Sequence, residues 1–143
     1  LMSIRYLCYA SPDYLKQHGI PRTVEDLDNH RLVTFGEEVG DQLELVPTLN
    51  FLMGAGREPG RPRKPVLKVN NIYGIYRAVL AGVGLGALPD YMLVGSSGLV
   101  RVLPELAGPP TEVYFVYPEE LRHSARIEVF RDFMVRKVLE SKN

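Results

Sequence analysis

The segment from Val66 to Pro89 constrains the fold more than any other. Val66-Leu-Lys-Val69 is a short β-rich run that reads as a strand. Asn70 or Asn71 then caps a helix whose apolar residues fall at Ile72, Ile75, Tyr76, Val79 and Leu80, the spacing of one helical face. Gly82 stops that helix, and Leu85–Leu88 follows as a second buried segment ending at Pro89. Strand, capped helix, glycine stop and strand make one α/β unit. The end of its first strand turns backbone N–H groups and amide side chains toward whatever lies above the sheet. Gly82-Val-Gly84-Leu-Gly86 has the look of a dinucleotide fingerprint, but that motif must follow a strand and open a helix. Here the glycines close the helix, so there is no case for NAD. Gly82 is expected in a left-handed conformation, with Gly84 and Gly86 serving tight turning and close packing.

With 143 residues, 45% of them hydrophobic and 24% charged, the chain can bury a real core as one domain, or one domain with a piece of another. Seventeen basic and seventeen acidic residues cancel, so no overall field favours nucleic acid or an anionic membrane. No apolar run approaches the roughly 18 residues of a spanning helix. Leu1–Ala10 lacks the charged and cleavage regions of a secretory leader. Cys8 stands alone, which excludes an internal disulfide, suits a reducing compartment and reads as a small buried hydrophobe.

Ser3–Ala10 is a strand; Ser11 caps a helix with Pro12 in its first turn, which Gly19 and Pro21 end. Thr23-Val-Glu-Asp26 resembles a capping box with Asp in place of Glu, and Arg31–Phe35 is the next strand. Partial alternation at Leu43 and Leu45, then at Leu49, Phe51 and Met53, suggests one or two half-exposed strands. Gly54–Pro65 is dense in turn formers and reads as an exposed, mobile loop. Its Arg57, Arg61, Arg63 and Lys64 are more simply solvated than aimed at DNA or an acidic partner, because no aromatic platform or helix presents them. Asp90–Val94 suggests a helical turn, Gly95–Gly98 a flexible joint, Leu99–Leu103 a strand and Thr111–Tyr117 the strongest strand of all. Ser124 caps a final helix with Ile127, Phe130, Met134 and Val138 on one stripe. That stripe needs a partner sheet.

Ala10–Gly19, Pro21–Leu27, His30–Phe35, Ala81–Pro89 and Gly98–Pro104, extended by Tyr114–Pro118 and the Ser124–Phe130 helix, together resemble the LysR-type transcriptional regulators. Their order and spacing over nearly the whole chain carry the resemblance. It implies an α/β, periplasmic-binding-protein-like effector domain, of which this chain is the C-terminal two-thirds. The second subdomain would be essentially complete and the first only partly present. The expected division is residues 1–98 for the second subdomain with its hinge strands and 99–143 for the returning part of the first. Hinge crossings are expected near Leu1–Ala10 and Gly86–Val94. The family's N-terminal helix-turn-helix lies outside the chain.

The implied function is effector sensing in a cleft between two lobes, within a cytoplasmic homo-oligomer (dimer or tetramer) that reaches DNA only through the absent helix-turn-helix. The expected cleft face is built from Ser11, Phe35, Asn70, Asn71, Tyr73 and Leu85. Asn70 and Asn71, at a strand end and helix start, are suited to holding a carboxylate with backbone N–H groups, and equally to plain helix capping. Ser11 also reads as a cap and Phe35 as core. No catalytic constellation, metal site or cofactor is expected. His18, His30 and His123 lack metal-ligand spacing, Ser96-Ser97 lacks a nucleophile elbow, and Glu37-Glu38 and Glu119-Glu120 read as solvated pairs. A fragment of a periplasmic solute-binding protein is the alternative, and an acyl- or phosphate-handling enzyme a remoter one. The absence of Trp near Gly36–Leu43 and the long basic loop depart from the family pattern on the effector-binding lobe, so the ligand class does not transfer from relatives.

Overall fold

The computed structural model describes residues 1–36, 46–93, 95 and 98–141. In chain order the strands are β1 (Met2–Ile4), β2 (Tyr6–Ala10), β3 (Leu32–Phe35), β4 (Leu67–Val69), β5 (Leu85–Pro89), β6 (Val100–Arg101) and β7 (Thr111–Val113). The α-helices are α1 (Pro12–His18), α2 (Val46–Leu49), α3 (Phe51–Gly54), α4 (Ile72–Leu80) and α5 (Ala125–Ser141). Contacts divide the chain into a unit Arg5–Pro109 and a unit formed by Leu1–Ile4 with Pro110–Asn143.

The Arg5–Pro109 unit is a mixed five-stranded sheet in the order β4-β3-β5-β2-β6. β3 runs parallel to β4 and β5, while β2 runs antiparallel to β5 and β6. β2 and β5 lie inside the sheet and every residue of both is buried, which is why their sequences are apolar without alternation. The glycine-rich connection works as expected. Gly82 has φ +78°, a conformation in which a side chain is strained. A Cβ on Gly86 would lie 2.6 Å from Val79 Cγ2 and 3.2 Å from Ile75 Cγ2, so its absence lets α4 settle on the sheet. A Cβ on Gly84 would run into the Arg31 carbonyl.

The local signals at the start of the unit are also realised. Ser11 Oγ accepts the Tyr14 N–H at 3.1 Å, capping α1 behind Pro12. The Asp26 carboxylate accepts the N–H groups of Arg22 at 2.8 Å and Thr23 at 3.0 Å, which hold it below the usual carboxylate range. The helix this opens is only a 3-10 turn, Glu25–Asn29.

Several expectations need correction. Leu49, Phe51 and Met53 lie on the short helices α2 and α3 and not on strands; Leu49 and Leu52 share the buried side, a spacing of three that alternation counting overlooks. Leu43 and Leu45 lie outside the described residues. The loop to Pro65 is not simply exposed, because the Arg63 side chain is 5% exposed and closes around it. Arg63 Nη1 donates to the carbonyls of Leu52 (3.0 Å) and Ala55 (2.6 Å), Nη2 to Val24 O (3.2 Å), and Nε to Asp28 Oδ1 (2.6 Å). The carbonyls that end α3 need donors from outside the helix, and Arg63 supplies them.

The strand expected over Leu99–Leu103 shrinks to β6, and Leu103 takes φ +50°. β6 pairs with β2, and Ala107 bridges Leu7, so residues up to Pro109 stay with the larger unit. The compact units therefore part at Ile4–Arg5, inside the first expected hinge segment, and at Pro109–Pro110.

In the smaller unit β1 pairs antiparallel with β7 over Met2↔Val113 to Ile4↔Thr111. Of the strand expected to reach Tyr117, Thr111–Val113 pairs with β1, and Tyr114 and Val116 are exposed. On α5, Ile127, Met134 and Val138 are half-buried, and the Phe130 ring meets Phe115 at 5.6 Å. Val129, Phe133 and Leu139 are exposed among the described residues.

Candidate functional site

Parallel strands give a sheet two unlike edges, and their carboxyl ends are where loops and helix N-termini converge. In the larger unit that edge is formed by Phe35, Val69 and Pro89. The chain enters and leaves the unit on the same side. Tyr6 pairs with Pro89, Asp90 N donates to Arg5 O at 2.9 Å, and Gly108 N donates to Tyr6 O at 2.9 Å.

At this edge β4 passes directly into α4. Asn71 takes an extended conformation and its Oδ1 accepts the Gly74 N–H at 2.6 Å; its Nδ2 donates to Asn70 Oδ1 at 3.4 Å. Gly74 permits this tight join, since a Cβ there would sit 2.5 Å from Val69 Cγ1. The remaining N–H groups of the first turn have no acceptor within the helix, and the helix dipole adds partial positive charge beside them. Asn70 and Asn71 are exposed, and Tyr73 is 62% exposed with its ring 6.0 Å from Tyr76. Phe35 and Val69 end their strands opposite each other.

Asn50, which sequence reasoning missed, fixes the Phe35 position. Its Oδ1 accepts Phe35 N–H at 2.9 Å and its Nδ2 donates to Phe35 O at 3.0 Å, so one amide satisfies both backbone groups at the end of β3. An asparagine between two apolar helical turns gave no local sign of this pairing.

The six expected residues do not form one group. Phe35, Asn70, Asn71 and Tyr73 share the carboxyl edge. Leu85 pairs with Leu32 at the other end of β3, roughly 10 Å away at about 3.3 Å per residue. Ser11 follows β2 on that same far side, close to Gly82. Ser11 is 3% exposed and engaged as a cap, and Leu85 is wholly buried. Phe35 is buried as well, so it offers the edge its backbone and packing more than its ring.

Cys8 is fully buried, and burial pushes its thiol up to about 12, which leaves it without thiolate at neutral pH. Among the described residues no three His, Cys, Asp or Glu side chains gather as a metal site would require. No helix among them is long and apolar enough to cross a membrane.

The profile of the LysR substrate binding domain matches residues 1–138, and the chain belongs to that family. The regulator CrgA of Neisseria meningitidis serogroup C is 26% identical over 144 residues, covering 96% of this chain and 45% of that protein. The uncharacterized regulator YhjC of Escherichia coli K12 is 26% identical over 133 residues, covering 87% of this chain and 42% of that protein. The chain thus spans less than half the length of these relatives, which are HTH-type transcriptional regulators. The structure of the CrgA regulatory domain superposes with a TM-score of 0.72 at 25% identity, covering 96% of this chain and 66% of that one. Full-length AphB of Vibrio cholerae, at 24% identity and a TM-score of 0.64, shares the fold over 94% of this chain.

Proposed function

We propose that this chain is the sensing part of a cytoplasmic LysR-type regulator, and that a small effector binds at the carboxyl edge of β3 and β4 against Asn70, Asn71 and Tyr73. The carrying observation is the α4 N-terminus. Exposed amide side chains, first-turn N–H groups and an exposed tyrosine stand together there, on a strand end that Asn50 holds fixed. This chemistry suits a carboxylate, whose oxygens accept N–H bonds and whose charge complements the helix dipole. Tyr73 and Tyr76 add an apolar surface for an aromatic or aliphatic body.

In the intact regulator such a ligand acts by binding one conformational state better than another, since only differential affinity shifts an equilibrium. Homo-oligomerisation as a dimer or tetramer, and DNA binding through a helix-turn-helix supplied by the rest of the polypeptide, complete the proposal. Thermal unfolding of the chain with a panel of aromatic and dicarboxylic acids tests it. At least one acid is expected to raise the midpoint with increasing concentration and to be recovered unchanged. Catalytic turnover of a screened acid would overturn the sensor reading.

A further inference from the structure

Away from the carboxyl edge, His18 and His30, which sequence spacing set apart, both meet Tyr14. The Tyr14 ring is 1% exposed and sits where α1, the end of the Glu25–Asn29 turn and the approach to β3 come together. Its hydroxyl accepts the Arg31 N–H at 3.0 Å and lies 2.9 Å from His30 Nδ1. His18 stacks on the Tyr14 ring, with centroids 4.4 Å apart and planes 11° from parallel, and its Nδ1 lies 3.3 Å from the Tyr14 carbonyl.

A phenol has one hydrogen to give. With Arg31 N–H donating to one lone pair of the oxygen, the phenol hydrogen can go to His30 Nδ1 when His30 is neutral and carries its own proton on Nε2. A charged imidazole carries hydrogen on both nitrogens. Its Nδ1–H would face the phenol as a second donor and displace the Tyr14 hydrogen from its acceptor. We infer that the Tyr14–His30 pair is an acid-sensitive latch that joins α1 to the start of β3 and opens when His30 takes up a proton.

The charged and titratable groups around the latch act in both directions. Burial is the largest influence on His30 and lowers its pKa; Asp26, from the turn, raises it, and His18, from α1, lowers it. Burial raises Tyr14; Arg31 opposes this through its backbone bond and its charge, while Cys8 on β2 adds to it. A histidine with a lowered folded pKa contributes stability that is fully present above its unfolded value, about 6.5, and is lost as pH falls toward the folded value. The carboxylates of Asp26 and Asp28, themselves held low, titrate at more acidic pH.

The Arg31 amide and the His30 ring report the latch directly by NMR on the full chain. Across the interval from about pH 8 to about pH 5, His30 is expected to titrate below an ordinary histidine. The Arg31 amide, corrected for its intrinsic pH dependence, is expected to lose protection by up to about tenfold per pH unit inside the linkage window. His30→Asn places a non-titrating acceptor near the Nδ1 position, and is expected to keep Arg31 protected at neutral pH and abolish the acid loss. A His30 titration at or above the ordinary value would overturn the latch, as would the same acid loss in His30→Asn. If that variant fails to fold, the wild-type titration and Arg31 exchange together decide.

Discussion

Asn71 shows how a single side chain connects sequence, fold and function. Its Oδ1 closes the first turn of α4 by accepting the Gly74 N–H, and the same residue stands at the edge proposed for the effector. Asn71→Ala is expected to cost about 1 kcal/mol, the usual worth of an N-cap, read from urea unfolding, and to weaken effector stabilisation further. Asn71→Ser, which can still cap, should recover most of the stability. Ser11 and Asn71 were legible in the sequence because capping is a local code, confined to a polar residue and the helical turn after it. Asn50 and His30 were not. Asn50 acts on Phe35, 15 residues away, and His30 on Tyr14, 16 away, and neither spacing carries a local signature. Ser11 and Leu85 lie at the other edge of the sheet from Asn70 and Asn71, and direction along the sheet, which decides the edge a residue occupies, carries no local signature either.

At the scale of elements, the Val66–Pro89 unit was legible almost residue for residue because helix period, cap and glycine stop agree. The segment carrying Leu49, Phe51 and Met53 misled because two four-residue helices are too short to display a helical period. Arg63 holds the end of α3 and also reaches Asp28 and Val24. Arg63→Met would leave the Leu52 and Ala55 carbonyls without this donor, for an expected loss of about 1–3 kcal/mol at neutral pH, measured by urea unfolding. The Arg63 hydrogen bond, with Arg57 assisting, holds the Asp28 carboxyl below its ordinary range. That contribution is present above the unfolded carboxylate pKa and drains as pH falls toward the folded value, so Arg63→Met should also flatten this part of the acid slope.

For the molecule as a whole, family membership rests on a match over residues 1–138, whereas the layout of the units rests on pairing distant in sequence. β6 looked like the start of a return to another subdomain, yet Tyr9↔Arg101 and Ala10↔Val100 tie it to β2. Long-range pairing of this kind leaves no trace in local composition, whereas the class of fold was readable from local patterns. The topology also orients the larger unit. β3, β4 and β5 all end where the chain enters at Arg5 and leaves at Pro109, and the amide-bearing start of α4 lies at that edge. The most direct test is an amide shift map of the 15N-labelled chain, titrated with the acid that stabilises it most. The expected result is saturable changes centred on Phe35, Asn50 and Asn70–Tyr73. Changes centred instead on Ser11, Gly82 and Leu85 at the opposite edge, or on α5, would contradict the assignment of the effector site.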